Sequence, residues 1–232
     1  MPRRKAGGRP AAPTGRRETK RVKSARGRSV SSTRWLQRQL NDPYVAEAQK
    51  RGYRSRAAFK LLQLDDRFRF LKKGARVVDL GAAPGGWTQV VGERCGSGGA
   101  TIAVDVLEME AIPGVTILEL DFLEGDADEQ VIAALDGKAD VVLSDMAAPT
   151  TGHASTDHLR IMALAEAAYD FAERVLAPGG AFICKVFQGG AERDLLNRLK
   201  VDFASVRHAK PEASRSDSAE TYLVAMKFRG GD

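Results

Sequence analysis

Seven short apolar runs, spaced along the second two-thirds of the chain, limit its fold more than any other feature. They occupy residues 76–80, 101–106, 115–120, 140–144, 181–187, 203–208 and 221–227. Most are continuous, as in strands covered on both faces. Helical patterns fill the gaps at about 86–95, 127–136, 155–176 and 191–200. The longest places Leu164, Ala168, Phe171 and Val175 on one core-facing stripe, and Ala177-Pro-Gly-Gly180 marks its end. Between the last two runs, residues 209–218 are polar and too short for a helical crossover, so the final strand should run antiparallel. The expected fold is α/β: a seven-stranded, mostly parallel sheet, with its last strand reversed and helices on both faces.

The chain before these runs is made differently. Residues 1–32 carry eleven Lys or Arg against one acid, Glu18; the rest of the chain is slightly acidic, so the overall charge of +6 comes from this tail. Its sizeable apolar residues are Met1, Val22 and Val30. It cannot bury enough surface to offset its ordering entropy, and is expected to be disordered when free and to meet a polyanion. Residues 33–232 should form one domain, with a basic helical segment over 33–73 and the α/β core over 74–228. Within the basic segment, 44–73 reads as one helix carrying Lys50, Arg51, Arg54, Arg56 and Lys60 near its start. No run approaches about 18 apolar residues, so no membrane span is expected. Cys95 and Cys184 are far apart and without a CxxC, and the three histidines are scattered. Neither a metal site nor a disulfide is indicated, and a reducing cytoplasm fits best.

In a doubly wound sheet, ligands sit at the carboxyl ends of strands where the strand order reverses. The first run passes directly into a glycine-rich turn, DLGAAPGGW at residues 79–87. Glycines there permit a tight turn and close approach of backbone to ligand. The spacing is not GxGxxG: position 83 is Ala, and Pro84 has no N–H for a pyrophosphate. That weakens a nicotinamide oxidoreductase reading and favours a ligand without phosphates. Asp105 closes the second run, where an acid can accept from two ribose hydroxyls. Asp121-Phe122 follows the third, placed to accept from an adenine amino group and to pack on its ring. Lys185 interrupts the otherwise apolar stretch 182–187, and a charge there is costly unless paired or functional.

Together, DLGAAPGGW, SDMAAPTTGH (144–153), SRAAFKL (55–61) and PEASR…SAETYLVA (211–225) resemble the FtsJ-type ribosomal RNA 2′-O-ribose methyltransferases over about residues 31–228. The resemblance implies a Rossmann-like methyltransferase fold and S-adenosylmethionine as cofactor, contacted by Gly85, Trp87, Asp105, Asp121 and Asp145. It also implies a catalytic set of Lys60, Asp145, Lys185 and Glu220, with Lys185 as general base. An ordinary lysine has a pKa of about 10.4, so a neutral base at pH 7 costs roughly 4–5 kcal/mol. A charged lysine that only holds the hydroxyl oxygen therefore stays open as an alternative.

The implied substrate is a uridine ribose of large-subunit ribosomal RNA within the assembled subunit, methylated by a monomer without a metal. The basic segment fits that partner; Trp35, Tyr44, Tyr53 and Phe59 are interleaved in it as stacking candidates, though a helix covering the core also needs aromatics, and packing is the better reading for any one of them. Transfer RNA, an mRNA cap, or a non-catalytic role in ribosome assembly remain alternatives.

Overall fold

The computed structural model describes residues 30–149, 151–187 and 193–230. The expected basic tail lies outside them, except for residues 30–32, which open the first helix. Three helices precede the sheet: α1 (Val30–Asn41), α2 (Pro43–Arg51) and α3 (Ala58–Phe68). The single helix expected over 44–73 is thus two. Asp42 caps α2, accepting from the Tyr44 N–H at 3.0 Å, with Pro43 in the first turn. Gly52 ends it in the left-handed region, at φ 75°, where its N–H turns back to the carbonyls of Ala48 and Gln49. The chain reorients over 53–57, α3 begins, and Arg69 at φ 58° stops it short of residue 73.

The strands are β1 (Val77–Leu80), β2 (Thr101–Asp105), β3 (Val115–Glu119), β4 (Ala139–Ser144), β5 (Leu176–Phe187), β6 (Phe203–Ala209) and β7 (Glu220–Phe228). Their order is β3-β2-β1-β4-β5-β7-β6. All pairings are parallel except those of β7, which is antiparallel to both β5 and β6. The remaining helices are α4 (Gly86–Cys95), α5 (Ala127–Leu135), α6 (Ala154–Val175) and α7 (Arg193–Asp202). This is the Rossmann-like architecture expected from the alternation of runs. Continuous burial fails at edge strand β3, whose residues are half-buried or exposed, because one of its sides has no neighbour.

Each face of the sheet has its own core. On one, Phe182, Cys184 and Leu223 pack with Tyr169, Phe171 and Val131 from α5 and α6. On the other, Ile183, Tyr222 and Val224 pack with Phe59, Leu61 and Leu64 of α3 and with Trp87 of α4. The period-two alternation of a strand sends Cys184 to the first core and its neighbour Lys185 to the second face. Ala168, Phe171 and Val175 of the expected stripe are buried, but Leu164 is only half-buried.

The strand order reverses between β1 and β4, and there the two chains leave the sheet almost in contact. Gly81 has φ 78°, and a Cβ on it would lie 2.7 Å from the Met146 backbone. Two residues earlier, Asp79 is fully buried. Its Oδ2 accepts from Thr88 Oγ1 at 2.7 Å, while Oδ1 finds no partner among the described residues. Burial pushes this carboxyl up to about 7, and the charges of Asp145 and Asp105 add to that, against the Thr88 bond.

Two outcomes follow from this corner. Gly81→Ala should cost about 1–3 kcal/mol in thermal or urea unfolding, because both the φ and the Met146 contact oppose a side chain. For Asp79, a folded pKa above the unfolded one makes stability fall as pH rises from about 4 to 7 and level off beyond. Asp79→Asn should remove that fall, which totals of the order of 4 kcal/mol, from stabilities measured across the interval.

Candidate active site

The register of β5 against β7 sets out the site. Lys185 pairs with Tyr222, and Phe187 pairs with Glu220. Lys185, Tyr222 and Glu220 therefore project from the same face, toward α3. Lys60, in the first turn of α3, meets them from the helix layer. The residue is only 8% exposed, although composition alone would make it a solvated helix-face lysine. Asp145 follows β4 directly, fixed by its N–H on the Leu80 carbonyl at 3.0 Å.

Two ion pairs result. Lys60 Nζ lies 2.8 Å from each oxygen of Glu220. Lys185 Nζ lies 3.1 Å from Asp145 Oδ1 and donates to the Asp145 carbonyl at 2.5 Å. The hydroxyl of Tyr222 joins them, donating to Asp145 Oδ1 at 3.0 Å, while Lys60 Nζ stands 5.8 Å from the centre of its ring. Ser214 Oγ holds Glu220 from behind at 2.7 Å. Burial alone would raise the Asp145 carboxyl, but the ammonium charges of Lys185 and Lys60 overcome it and hold it below the usual carboxylate range. Burial drives the Tyr222 phenol the other way, well above its ordinary value, with the Asp145 and Glu220 charges adding to it. Tyr222 therefore stays a neutral donor. Its role was missed in the sequence, where it looks like one more apolar position of β7; only the cross-strand register shows it beside Lys185.

Two cavities open near these pairs; Asp145 is not among the residues lining either, but Met146 next to it lines the first. The first, about 290 Å³, is walled by Gly81, by Val104–Val106 at the end of β2, by Leu120–Leu123 after β3, by Met146–Pro149 after β4, and by Leu164. Asp105 and Asp121 are both in its wall. Asp105 is itself anchored: Oδ2 accepts from the Ala83 N–H and Oδ1 from the Leu107 N–H, each at 2.9 Å. Asp121 Oδ1 accepts from the Leu123 N–H at 3.0 Å, and Phe122 meets Phe171 edge-on. No Lys or Arg is among the described residues of this wall, so the cavity offers carboxylates and apolar surface but no cation for a phosphate.

Gly85 and Trp87 are placed differently. Gly85 has φ 105° and is roofed by side chains of Arg54, Met109 and Ile112. Trp87, 3% exposed, lies in the core beside Tyr222 and donates Nε1–H to the Ala57 carbonyl at 2.9 Å. It is not among the residues lining the cavity.

The second cavity, about 410 Å³, shares Lys60 and Glu220 with the ion pairs. Arg38, Arg56 and Arg215 line it too, together with Gln39, Asp217 and Ser218. Asp42 braces it, with Oδ2 2.8 Å from Arg56 and 3.8 Å from Arg215. Of the stacking candidates, Tyr44 and Phe59 are buried in the second core and Tyr53 donates to Glu93 at 2.7 Å. They serve packing because α2, α3 and the linker between them cover the sheet.

The model of the FtsJ-like methyltransferase family matches residues 53–228. The ribosomal RNA large subunit methyltransferase E of Azorhizobium caulinodans is 61% identical, across 95% of this chain and 93% of that protein. The protein of the same name from Paramagnetospirillum magneticum is 62% identical, across 91% and 89%. Among solved structures, a putative ribosomal RNA methyltransferase from Plasmodium falciparum is 33% identical with a TM-score of 0.65, covering 77% of this chain and all of that one. A putative rRNA methylase from Clostridium thermocellum, 19% identical with a TM-score of 0.52 over 72% of this chain and 97% of that one, shares the fold. By family match, by relatedness and by architecture, this chain belongs to the FtsJ-like methyltransferases.

Proposed function

We propose that this protein transfers a methyl group from S-adenosylmethionine to the 2′-oxygen of a uridine ribose in large-subunit ribosomal RNA, on the assembled subunit. The observation that carries this reading is the position of the two ion pairs. Asp145 adjoins the cation-free cavity through Met146, whereas Lys60 and Glu220 line the cationic one.

The first cavity suits the cofactor. Asp105 would hold the ribose hydroxyls, and Asp121 and Phe122 the adenine. The glycine turn would leave room for the sulfonium end, next to Asp145. When bound, the cofactor supplies a methyl group already activated by its positive sulfur. The second cavity suits a polyanion bearing a hydroxyl, since its arginines can meet phosphodiester oxygens and only RNA carries the 2′-OH. The names of the related proteins point to ribosomal RNA of the large subunit as that polyanion.

The residues between the cavities then have definable tasks. Lys185 already donates to Asp145, and an ammonium has three N–H donors, so one can point at the ribose oxygen. The lowered Asp145 carboxyl keeps this lysine paired with a negative charge. Lys60 and Glu220 hold the rim on the RNA side, and Tyr222 locks Asp145 in place. With acceptors on its nitrogen, Lys185 is arranged to hold and polarise the ribose oxygen; the hydroxyl proton would then leave to water as the oxygen takes the methyl group. Positioning of this kind can supply much of the acceleration for an activated donor.

Labelled S-adenosylmethionine, offered with large subunits, naked ribosomal RNA and transfer RNA, should mark the ribose of the large-subunit RNA. Absence of transfer to every RNA by the wild type sinks the enzyme reading, and preferential labelling of transfer RNA moves the substrate. Lys185→Ala should lower the single-turnover rate by at least about a hundredfold while cofactor affinity changes little. The wild-type single-turnover rate should be flat between about pH 6 and 9. A tenfold rise per pH unit across that range would instead assign Lys185 the general-base role.

A further inference from the structure

Arg54 reads in the sequence as one more cation of an RNA-facing segment, but in the structure its guanidinium is spent elsewhere. Nη1 donates to the carbonyls of Glu110 at 2.7 Å and Pro84 at 3.3 Å, and Nη2 donates to that of Ala111 at 2.9 Å. Its own backbone is fixed as well: the Arg54 N–H donates to Gln89 Oε1 at 2.8 Å, and Gln89 Nε2 donates to the Gly52 carbonyl at 3.0 Å. The head group therefore ties three separate segments: the linker before α3, the glycine turn, and the irregular strap that follows β2.

The strap begins at Asp105 and Val106, which both line the first cavity. It is held to the glycine turn twice. On the inner side the Asp105 carboxylate accepts from Ala83 and Leu107. On the outer side Arg54 joins Pro84 to Glu110 and Ala111. Between these pins Met109 and Ile112 lie on Gly85, where a Cβ would come within 3.1 Å and 3.0 Å of their side chains. A planar guanidinium holds its two terminal nitrogens in a fixed fork that meets three carbonyls at once, an arrangement that the compact ammonium of a lysine, on a flexible stem, does not hold in place.

We propose that Arg54 is a positioning residue for the cofactor pocket: it latches the 106–112 strap onto the glycine turn and so holds Asp105 and the cavity wall in their binding geometry, without contacting RNA. This rests on the reading of the first cavity as the S-adenosylmethionine pocket. The latch lies on the same short linker that leads into Lys60, so the order of the strap is tied to the start of α3.

The test is direct binding of S-adenosylhomocysteine by calorimetry to the full-length protein and to Arg54→Gln, Arg54→Lys and Ile112→Ala. Hydrogen exchange of residues 106–114 and the salt dependence of RNA binding are measured on the same proteins. Arg54→Gln and Arg54→Lys should each weaken binding by about tenfold, the loss expected for one or two charge-assisted bonds. Ile112→Ala, which leaves Arg54 in place, should weaken it in the same direction. Exchange in the strap should rise in all three, with RNA affinity and its salt slope unchanged. If Arg54→Gln loses its cooperative unfolding transition, Ile112→Ala and Arg54→Lys carry the test. Full rescue by Lys, or cofactor affinity within twofold of wild type in the Arg54 variants, overturns the latch. A reduced RNA affinity with a shallower salt slope makes Arg54 an RNA contact instead. Failure of the wild type itself to bind S-adenosylhomocysteine overturns the pocket reading, and the latch with it, and is recognisable because no variant is needed to see it.

Discussion

Two ammonium groups and two carboxylates lie between β5, β7 and α3 with little access to water, and each is tolerable there only because the others are present. Stripping one partner from such a buried pair costs about 3–5 kcal/mol, since it leaves a charge with neither water nor a counter-ion. The pairs therefore constrain the elements that carry them. Lys185 and Asp145 hold the ends of β4 and β5 together, and Lys60 and Glu220 hold α3 against β7. Tyr222 unites the two because its hydroxyl must find an acceptor once the ring is buried, and Asp145 Oδ1 is that acceptor. The reversal of β7 is what makes this possible. An antiparallel partner sets Tyr222 directly opposite Lys185 and Glu220 one pleat further along.

Next to that cluster, the sheet makes room for ligand by bringing backbone unusually close to backbone. Gly81 leaves no space for a Cβ against Met146. Gly81 and Met146, the two residues in that contact, both line a cavity walled at the ends of three neighbouring strands, and Asp145 directly precedes Met146. The same crowding buries Asp79 without a full set of partners, and it holds its proton more tightly than a carboxyl in water. Precise placement at the ends of β1 and β4 is thus obtained at a cost in stability that depends on pH.

Much of this was legible in the sequence, and the parts that were not share a physical reason. A strand buried on both faces must be apolar along its length, so the runs reveal themselves, and a charge within one, as at Lys185, stands out by its desolvation cost. The reversal of the last strand follows from a loop too short to cross the sheet. Helix boundaries in the basic segment were not legible, because the break depends on one glycine adopting a left-handed conformation amid residues that all tolerate helix. With the break misplaced, the facing of everything on that segment is lost. Tyr44 and Phe59 form core, as expected of aromatics on helices that cover the sheet, but Lys60 by itself looks solvated yet is paired. The ring contact between Trp87, in the first turn of α4, and Tyr222 is likewise set by tertiary packing, which no local pattern reveals.

The basic segment also changes meaning once its side chains are followed individually. As a composition it is a uniform positive face awaiting RNA. As a structure it is a short linker whose cations divide their work. Arg54 turns to the strap over the glycine turn, Arg56 to Asp42, the Ala213 carbonyl and the cationic cavity, and Lys60 to Glu220. Five residues separate the first of these from the last, and the stretch they span is pinned at both ends, by Gln89 from α4 and by Glu220 from β7. A displacement of this linker would disturb the adenosyl side, the RNA side and the ion pairs together. Charge density in a sequence shows that cations are close to one another, but which of them are free to meet a phosphate depends on the carbonyls and carboxylates that the fold places beside each one.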